Sequence, residues 1–446
     1  MEEVQDLVID IDNTKGWDNI GGKSNNVWGQ VPMPNEIVDI ANKYKRKSKK
    51  ISQLMGKNAK YLPSIWTAYD KIIYADNNPI EANDLPETIS ATFKSCYNKY
   101  GAIVENMAMR IAFALDLPTS YNYIAKLDVD KYKKILDNYP NPEKKKEVHK
   151  LGIVSIDFLQ SARADGVKEV YSEVDENGNE VKVESIYDMA GDKLIPFDDI
   201  VAKVIGNNRL SGDQNLIENW VSAIDLFVQE ELKHLPREKV NKIIHNVHSR
   251  IARSCLLKEY CGDCDNTSYN ATVVFNKARG TLVYGPNHDF GDSFNKLIKV
   301  KIDKSQGMSI EQINALPEKV RIKMLERYAK ENAETVADIA KQYAVVGASQ
   351  RNIEYIFEHF PDSAKEFFES VDKCVSKRVF YKIINSYTQM ICDGKPILSK
   401  KEAEIFNEYL EERSAWMSEM YVNYLQEHGK QVSEPVSSEV DDEYSL

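Results

Sequence analysis

Thr88-Ile-Ser-Ala-Thr-Phe-Lys94 alternates apolar and polar positions, the period-2 pattern of a strand with one buried face. Residues 103–117 change to a helical period that stops at Pro118. Strand character returns over 151–159. Residues 169–185 read as a hairpin turned at Glu176-Asn-Gly-Asn179. Upstream, residues 50–62 read as strand, a turn at Gly56, and strand. Beyond residue 190 helical periods dominate. Residues 215–232 carry Leu216, Trp220, Ile224 and Phe227 on one face, and a second long helix is expected over 236–260. Ser309-Ile-Glu-Gln312 and Ser399-Lys-Lys-Glu402 have the form of capping boxes that open further helices. The last of these repeats Phe406, Leu410, Met417, Tyr421 and Tyr424 at helical spacing. Between the helices, strand signal recurs at 271–275 and 281–284.

This order predicts an α+β protein with a small β-rich lobe followed by a larger, mostly α-helical lobe. The expected divisions are a partly irregular leader over 1–49, an N-lobe over 50–165, a helical C-lobe over 166–428, and an acidic disordered tail over 429–446. At 446 residues the chain is long enough for two or three domains. Its 42% hydrophobic and 28% charged residues are ordinary for a globular protein and exclude collagen-like or wholly disordered classes. No apolar run is long enough to span a bilayer, the start has no signal-peptide pattern, and six cysteines suit a reducing cytoplasm. The net charge of −11 argues against nucleic acid as a direct partner. The exceptional basic run at 43–50 is expected to be a solvated linker.

The chemistry concentrates between 260 and 291. Asp265 and Asn270 form D-x-x-x-x-N, and Asp289-Phe-Gly291 follows across the predicted strand pair. Phosphoryl transfer needs such a set: one carboxylate to accept the hydroxyl proton, and a second carboxylate with an amide oxygen to hold Mg2+ against the phosphates of ATP. Magnesium keeps several waters, so few protein ligands suffice. The remaining parts occur in kinase order. Gly56 with Lys60 beside it falls in a predicted turn, the expected phosphate cover, Lys94 ends a predicted strand, and Glu105 opens the next predicted helix, where it can fix Lys94.

Several other motifs compete. Asp10-Ile-Asp-Asn-Thr14 matches a dehalogenase-type D-x-D-x-T nucleophile, but the helix–strand alternation that chemistry needs does not follow it. Gly21-Gly-Lys-Ser24 resembles a P-loop, except that Trp17 stands at the required first glycine. Cys261-x-x-Cys264 is a single pair, a weak zinc signal, and reads as two free thiols. His245 and His248 read as satisfied polar or core histidines. The lysines at 296, 299, 301 and 304 are expected to form a solvated segment.

With these residues in place, the chain resembles the HipA family of bacterial protein-kinase-like proteins. The match runs through Gly56 and Lys60, Lys94, Glu105-Asn106, residues 114–118, the strand at 152–158, and Asp265, Asn270 and Asp289. It covers roughly residues 50–300. It implies a two-lobed, protein-kinase-like fold in which Asp265 is the catalytic base, Gly56, Lys60, Lys94 and Glu105 bind ATP, and Asn270 and Asp289 hold the metal. It also implies a cytoplasmic, toxin-like Ser/Thr protein kinase with a protein substrate and a neutralising antitoxin-like partner. The pattern departs at Thr267 and Tyr269, where the family has His and Lys, and at His288, where it has Tyr. Gln53 takes the place of the family's regulatory Ser, with Ser52 one position earlier. Three alternatives stay open: a phosphatidylinositol-kinase-like enzyme, a catalytically weak pseudokinase acting as a binding module, and a dehalogenase-type phosphatase that would depend on Asp10.

Overall fold

A computed structural model describes residues 2–4, 6–7, 18–19, 26–32, 88–96, 98–117, 119–137, 148–156, 169–174, 180–185, 193–205, 216–265, 270–277, 280–303, 308–345 and 347–428. The expectations at Gly56 and Lys60, Asp10–Thr14, Gly21–Ser24, the basic run at 43–50, Ser52, Gln53, Lys304, Thr267, Tyr269 and the acidic tail lie outside these residues.

The protein is mixed α/β. Its main sheet has six strands in the order β2-β6-β7-β5-β4-β3. These are β2 (Asp6–Leu7), β3 (Asp18–Asn19), β4 (Asn26–Pro32), β5 (Thr88–Ser95), β6 (Asn122–Leu127) and β7 (Leu151–Ile156). Strand β5 lies at the centre, antiparallel to both β4 and β7. Its alternation buries Ala91 and Phe93 and leaves Lys94 on the opposite face. The expected leader therefore contributes to this sheet rather than only preceding it. Gly29 and Val31 are buried, and Asn26–Pro32 pairs residue by residue with Thr88–Lys94. Further upstream, β1 (Glu2–Glu3) pairs in parallel with β13 (Met390–Cys392), which forms a hairpin with β14 (Lys395–Pro396).

Helix α1 (Lys99–Ala114) starts four residues before the apolar period suggests. The Asn98 side chain caps it, accepting from the N–H groups of Tyr100 and Gly101 at 2.8 and 3.2 Å. The helix lies against β6 and β7 and is buried on nearly every side, with every residue from Ala102 to Met109 out of solvent. After α2 (Val129–Asp137), the hairpin β8 (Glu169–Val174) and β9 (Glu180–Ser185) forms where the sequence predicts it.

A second sheet joins β10 (Lys193–Pro196), β11 (Thr272–Asn276) and β12 (Thr281–Tyr284). Around it pack α3 (Phe197–Ile205), α4 (Ile217–Glu231) and α5 (Arg237–Tyr260). Phe197 anchors this corner, with its ring 5.1 Å from Trp220 and 5.9 Å from Tyr284. Leu216 cannot cap α4, and Asn352 of a later helix supplies the acceptor for the Ile217 N–H at 2.9 Å. The remaining helices include α6 (Asn295–Leu297), α7 (Ile310–Asn314), α8 (Glu318–Ala333), α9 (Val336–Ala340), α10 (Ala348–His359), α11 (Pro361–Ser376), α12 (Val379–Ser386) and α13 (Lys400–Glu427). The boxes at Ser309 and Ser399 both form, opening α7 and α13. One continuous apolar core runs from α1 and β7 through α4 and α5 to α13. Among the described residues, no helix is long and apolar enough to cross a membrane.

Candidate active site

Two elements deliver the N-terminal half of the site. Strand β5 ends at Lys94, and α1 presents Glu105 to it, with Lys94 Nζ 3.3 Å from Glu105 Oε2. The helix is fixed in rotation by its next residue. Asn106 Nδ2 donates to the Asn122 carbonyl and Oδ1, both at 2.9 Å, and Tyr387 OH donates to Asn106 Oδ1 at 2.7 Å. Glu105 and Asn106 are both buried, so this turn of α1 has little freedom.

The other half hangs from α5. Its last turns are buried, and the chain then passes through Asp263 and Asp265 to Asn270. Asn270 Nδ2 donates to the carbonyl and to Oδ2 of Asp265, at 3.0 and 2.9 Å. The β11–β12 register opposes Val273 to Tyr284, so Asn270 and Asp289 leave the hairpin at the same end. Thr119 Oγ1 and the Ser120 N–H both donate to the Asn287 carbonyl, at 3.0 and 2.9 Å, tying the connection after α1 to this segment.

Asp289 closes the gap between the halves. Lys94 Nζ donates to Asp289 Oδ1, so one ammonium bridges Glu105 and Asp289. Asp289 adopts a left-handed backbone with φ of 55°, a conformation that costs energy in a non-glycine residue and tends to collect at functional sites. Gly291 passes so close that a Cβ there would lie 3.2 Å from Lys94 Nζ. Phe290 is fully buried beneath.

The charges follow from this packing. Burial alone lowers the affinity of Lys94 for its proton, but the Glu105 and Asp289 carboxylates outweigh it and hold the ammonium above its usual range. Burial pushes the Glu105 carboxyl up, opposed by Lys94. Burial acts in the same direction on Asp289, yet Lys94 wins and keeps it below the usual carboxylate range. His288 bonds the Pro286 carbonyl at 2.9 Å through Nδ1, and burial lowers its basicity. Asp263 is pushed up to about 6 by burial, partly countered by Lys258.

Lys94, Glu105 and Asp289 thus meet directly, and Asp265 and Asn270 bond to each other. Sequence reasoning passed over Asp263 and Lys258. The clue for Asp263 was the second acid in Asp263-Cys-Asp265, but its burial depends on tertiary packing. Cys261 is buried and Cys264 exposed, both as free thiols. His248 pairs with Asp225 at 2.8 Å and packs on Phe360. The expected solvated lysine segment is corrected at two positions. Lys296 pairs with Glu334 at 2.9 Å, and Lys301 donates to the Glu334 carbonyl, so the residue after α8 holds both.

No protein-family model matches the sequence, and no curated protein does. Among solved structures, the chain is similar to the Helicobacter pylori proinflammatory kinase CtkA, with a TM-score of 0.38 and 13% identity over 75% of this chain and 92% of that one. It is also similar to a chain of the Shewanella oneidensis MR-1 toxin–antitoxin complex of HipA, HipB and operator DNA. There the TM-score is 0.32 and the identity 11%, and the match covers 79% of this chain and 62% of the other.

Proposed function

We propose that this chain is a two-lobed, HipA-like kinase that transfers the γ-phosphoryl group of ATP to a Ser or Thr hydroxyl of a protein. The observation that carries this reading is Lys94 bridging Glu105 and Asp289, with Asp265 and Asn270 bonded to each other on the same segment of chain. A buried carboxylate that orients a lysine beside an Asp-Phe-Gly acid is an arrangement for gripping phosphates.

Each residue then has a task. Lys94 holds the phosphates and Glu105 keeps its ammonium in position. Asp265 accepts the proton of the attacking hydroxyl. Asn270 spends its amide N–H on Asp265, which leaves its Oδ1, and Lys94 takes Oδ1 of Asp289, which leaves Oδ2. One amide oxygen and one carboxylate oxygen are hard donors that suit Mg2+. When bound, Mg2+ supplies neutralisation of phosphate charge. Gly56 and Lys60 would cover the nucleotide. A neutralising antitoxin-like protein and a cytoplasmic location belong to the same reading.

The test is incubation of the chain with labelled ATP, Mg2+ and bacterial lysate, followed by phosphoamino-acid analysis. Label on protein Ser or Thr is expected for the wild type and for Asp10→Ala, with loss in Asp265→Ala. Transfer lost only in Asp10→Ala would overturn the kinase reading. Label appearing in lipid instead of protein would assign a phosphatidylinositol-kinase-like activity. Nucleotide binding without any transfer would assign a pseudokinase.

A further inference from the structure

Asp263 is fully buried two residues before Asp265. Its Oδ1 accepts the Asp265 backbone N–H at 2.9 Å, and its own N–H donates to the Lys258 carbonyl at 2.9 Å. On the opposite flank, Asn270 holds the carbonyl and Oδ2 of Asp265. Asp265 is therefore gripped from both sides, by a carboxylate and by an amide.

The second oxygen of Asp263 is unusual. Oδ2 is buried with no hydrogen-bond partner among the described residues, and so is Nζ of Lys258. Lys258 is itself buried, with its ammonium 5.9 Å from the Phe290 ring. The charged and titratable groups facing Asp263 are Lys258, Cys261 and Cys264 from α5 and the turn after it, Glu105 from α1, and Asp289 and Asp292 from the segment after β12. Only Lys258 among them favours the anion.

We propose that Asp263 is a positioning residue for Asp265: its charged carboxylate fixes the Asp265 peptide, and a proton taken up at Oδ2 weakens that hold. This rests on the role of Asp265 proposed above. A carboxylate is a stronger acceptor than a neutral acid, so protonation loosens the bond without removing either residue. Burial, which pushes Asp263 up to about 6, puts the change within the range of ordinary cytoplasmic acidification. Nothing covalent changes; one proton moves between solvent and Oδ2.

The test uses the full chain with aspartate labelled in nitrogen. The Asp265 amide proton, identified by its loss in Asp265→Asn, should shift with a midpoint near pH 6 in the wild type. In Asp263→Asn it should stay flat from pH 5 to 8. Alongside, Asp263→Ala should lower kcat by 10- to 100-fold, on the order expected for a mispositioned group, with KM for ATP changed less than about twofold. Asp263→Asn, a neutral acceptor that mimics the protonated acid, should give a kcat between those of Asp263→Ala and the wild type at pH 8, with no further fall below pH 6. An Asp265 amide that does not titrate, or that titrates equally in Asp263→Asn, overturns the proposal, as does an Asp263→Ala chain with wild-type kcat. A wild-type chain without phosphoryl transfer overturns the kinase reading instead, while the amide titration still decides the hydrogen bond.

Discussion

Arg413 Nη2 donates to Glu259 Oε1 at 2.6 Å, and both residues are buried. The guanidinium also donates to the carbonyls of Glu259, Ala340 and Gln342, and Glu259 Oε1 accepts the Ala344 N–H at 2.8 Å. One ion pair thus fastens the last helix, the residue before Tyr260, and the turn after α9. Arg413→Ala leaves the Glu259 charge buried without its partner, which costs about 3–5 kcal/mol. Urea unfolding should show that loss, while a double change to apolar residues of similar volume should recover much of it.

Lys94→Ala removes the bridge between Glu105 and Asp289. Transfer should fall on the order of 10²-fold or more, as when a preorganised charge is deleted from a site. Glu105→Gln keeps the shape and removes only one of the two charges that hold the ammonium. Its loss should be smaller than that of Lys94→Ala. Steady-state rates of label transfer, with circular dichroism to confirm the fold, check both.

Gly291→Ala puts a methyl group 3.2 Å from Lys94 Nζ and 3.5 Å from Glu105 Oε2. The flexible end of Lys94 can yield, so thermal stability should change by less than about 1 kcal/mol. The displaced ammonium should nonetheless lower transfer by roughly tenfold, since small misplacements are costly in a site. A stable variant with undiminished transfer would refute the close approach.

Asp263 also predicts a stability signature. Its folded-state value near 6 lies above the ordinary 3.8, so the native state binds the proton more tightly than the unfolded chain does. The resulting stability is fully present below about pH 4 and is lost as pH rises through 6. Asp263→Asn cannot ionise, so it should gain on the wild type between pH 4 and 8, by on the order of 2–3 kcal/mol. Melting temperatures of both chains across that range measure the difference.

Much of the fold was legible because local rules coincide with tertiary need. The alternation in Thr88–Lys94, the Ser309 and Ser399 capping boxes, and the 271–284 strand pair all appear where the pattern puts them. Asn26–Pro32 breaks the alternation at Trp28 and Gly29, and its partner β5 lies beyond a long intervening stretch, so local pattern alone did not assign it to the main sheet. The β13–β14 hairpin had a readable signal in Asp393-Gly394, both at positive φ, as a tight two-residue hairpin turn requires. At the candidate site, residue order singled out Lys94, Glu105 and Asp289, which meet, and Asp265 and Asn270, which bond to each other. The burial of Asp263 is a product of packing and has no sequence signature.

The bond from Tyr387 to Asn106 spans 281 residues of chain. A ribosome makes that much chain on the order of half a minute after Asn106 leaves the peptidyl-transfer centre. Lys99 and Tyr100, at the start of the same helix, wait still longer for Glu402. Every strand of the six-stranded sheet is synthesised by residue 156, so the surface that carries Lys94 can assemble early. The contacts that fix the helix carrying Glu105 come last. A nascent chain therefore holds the two partners of its central ion pair long before it has the parts that set their alignment.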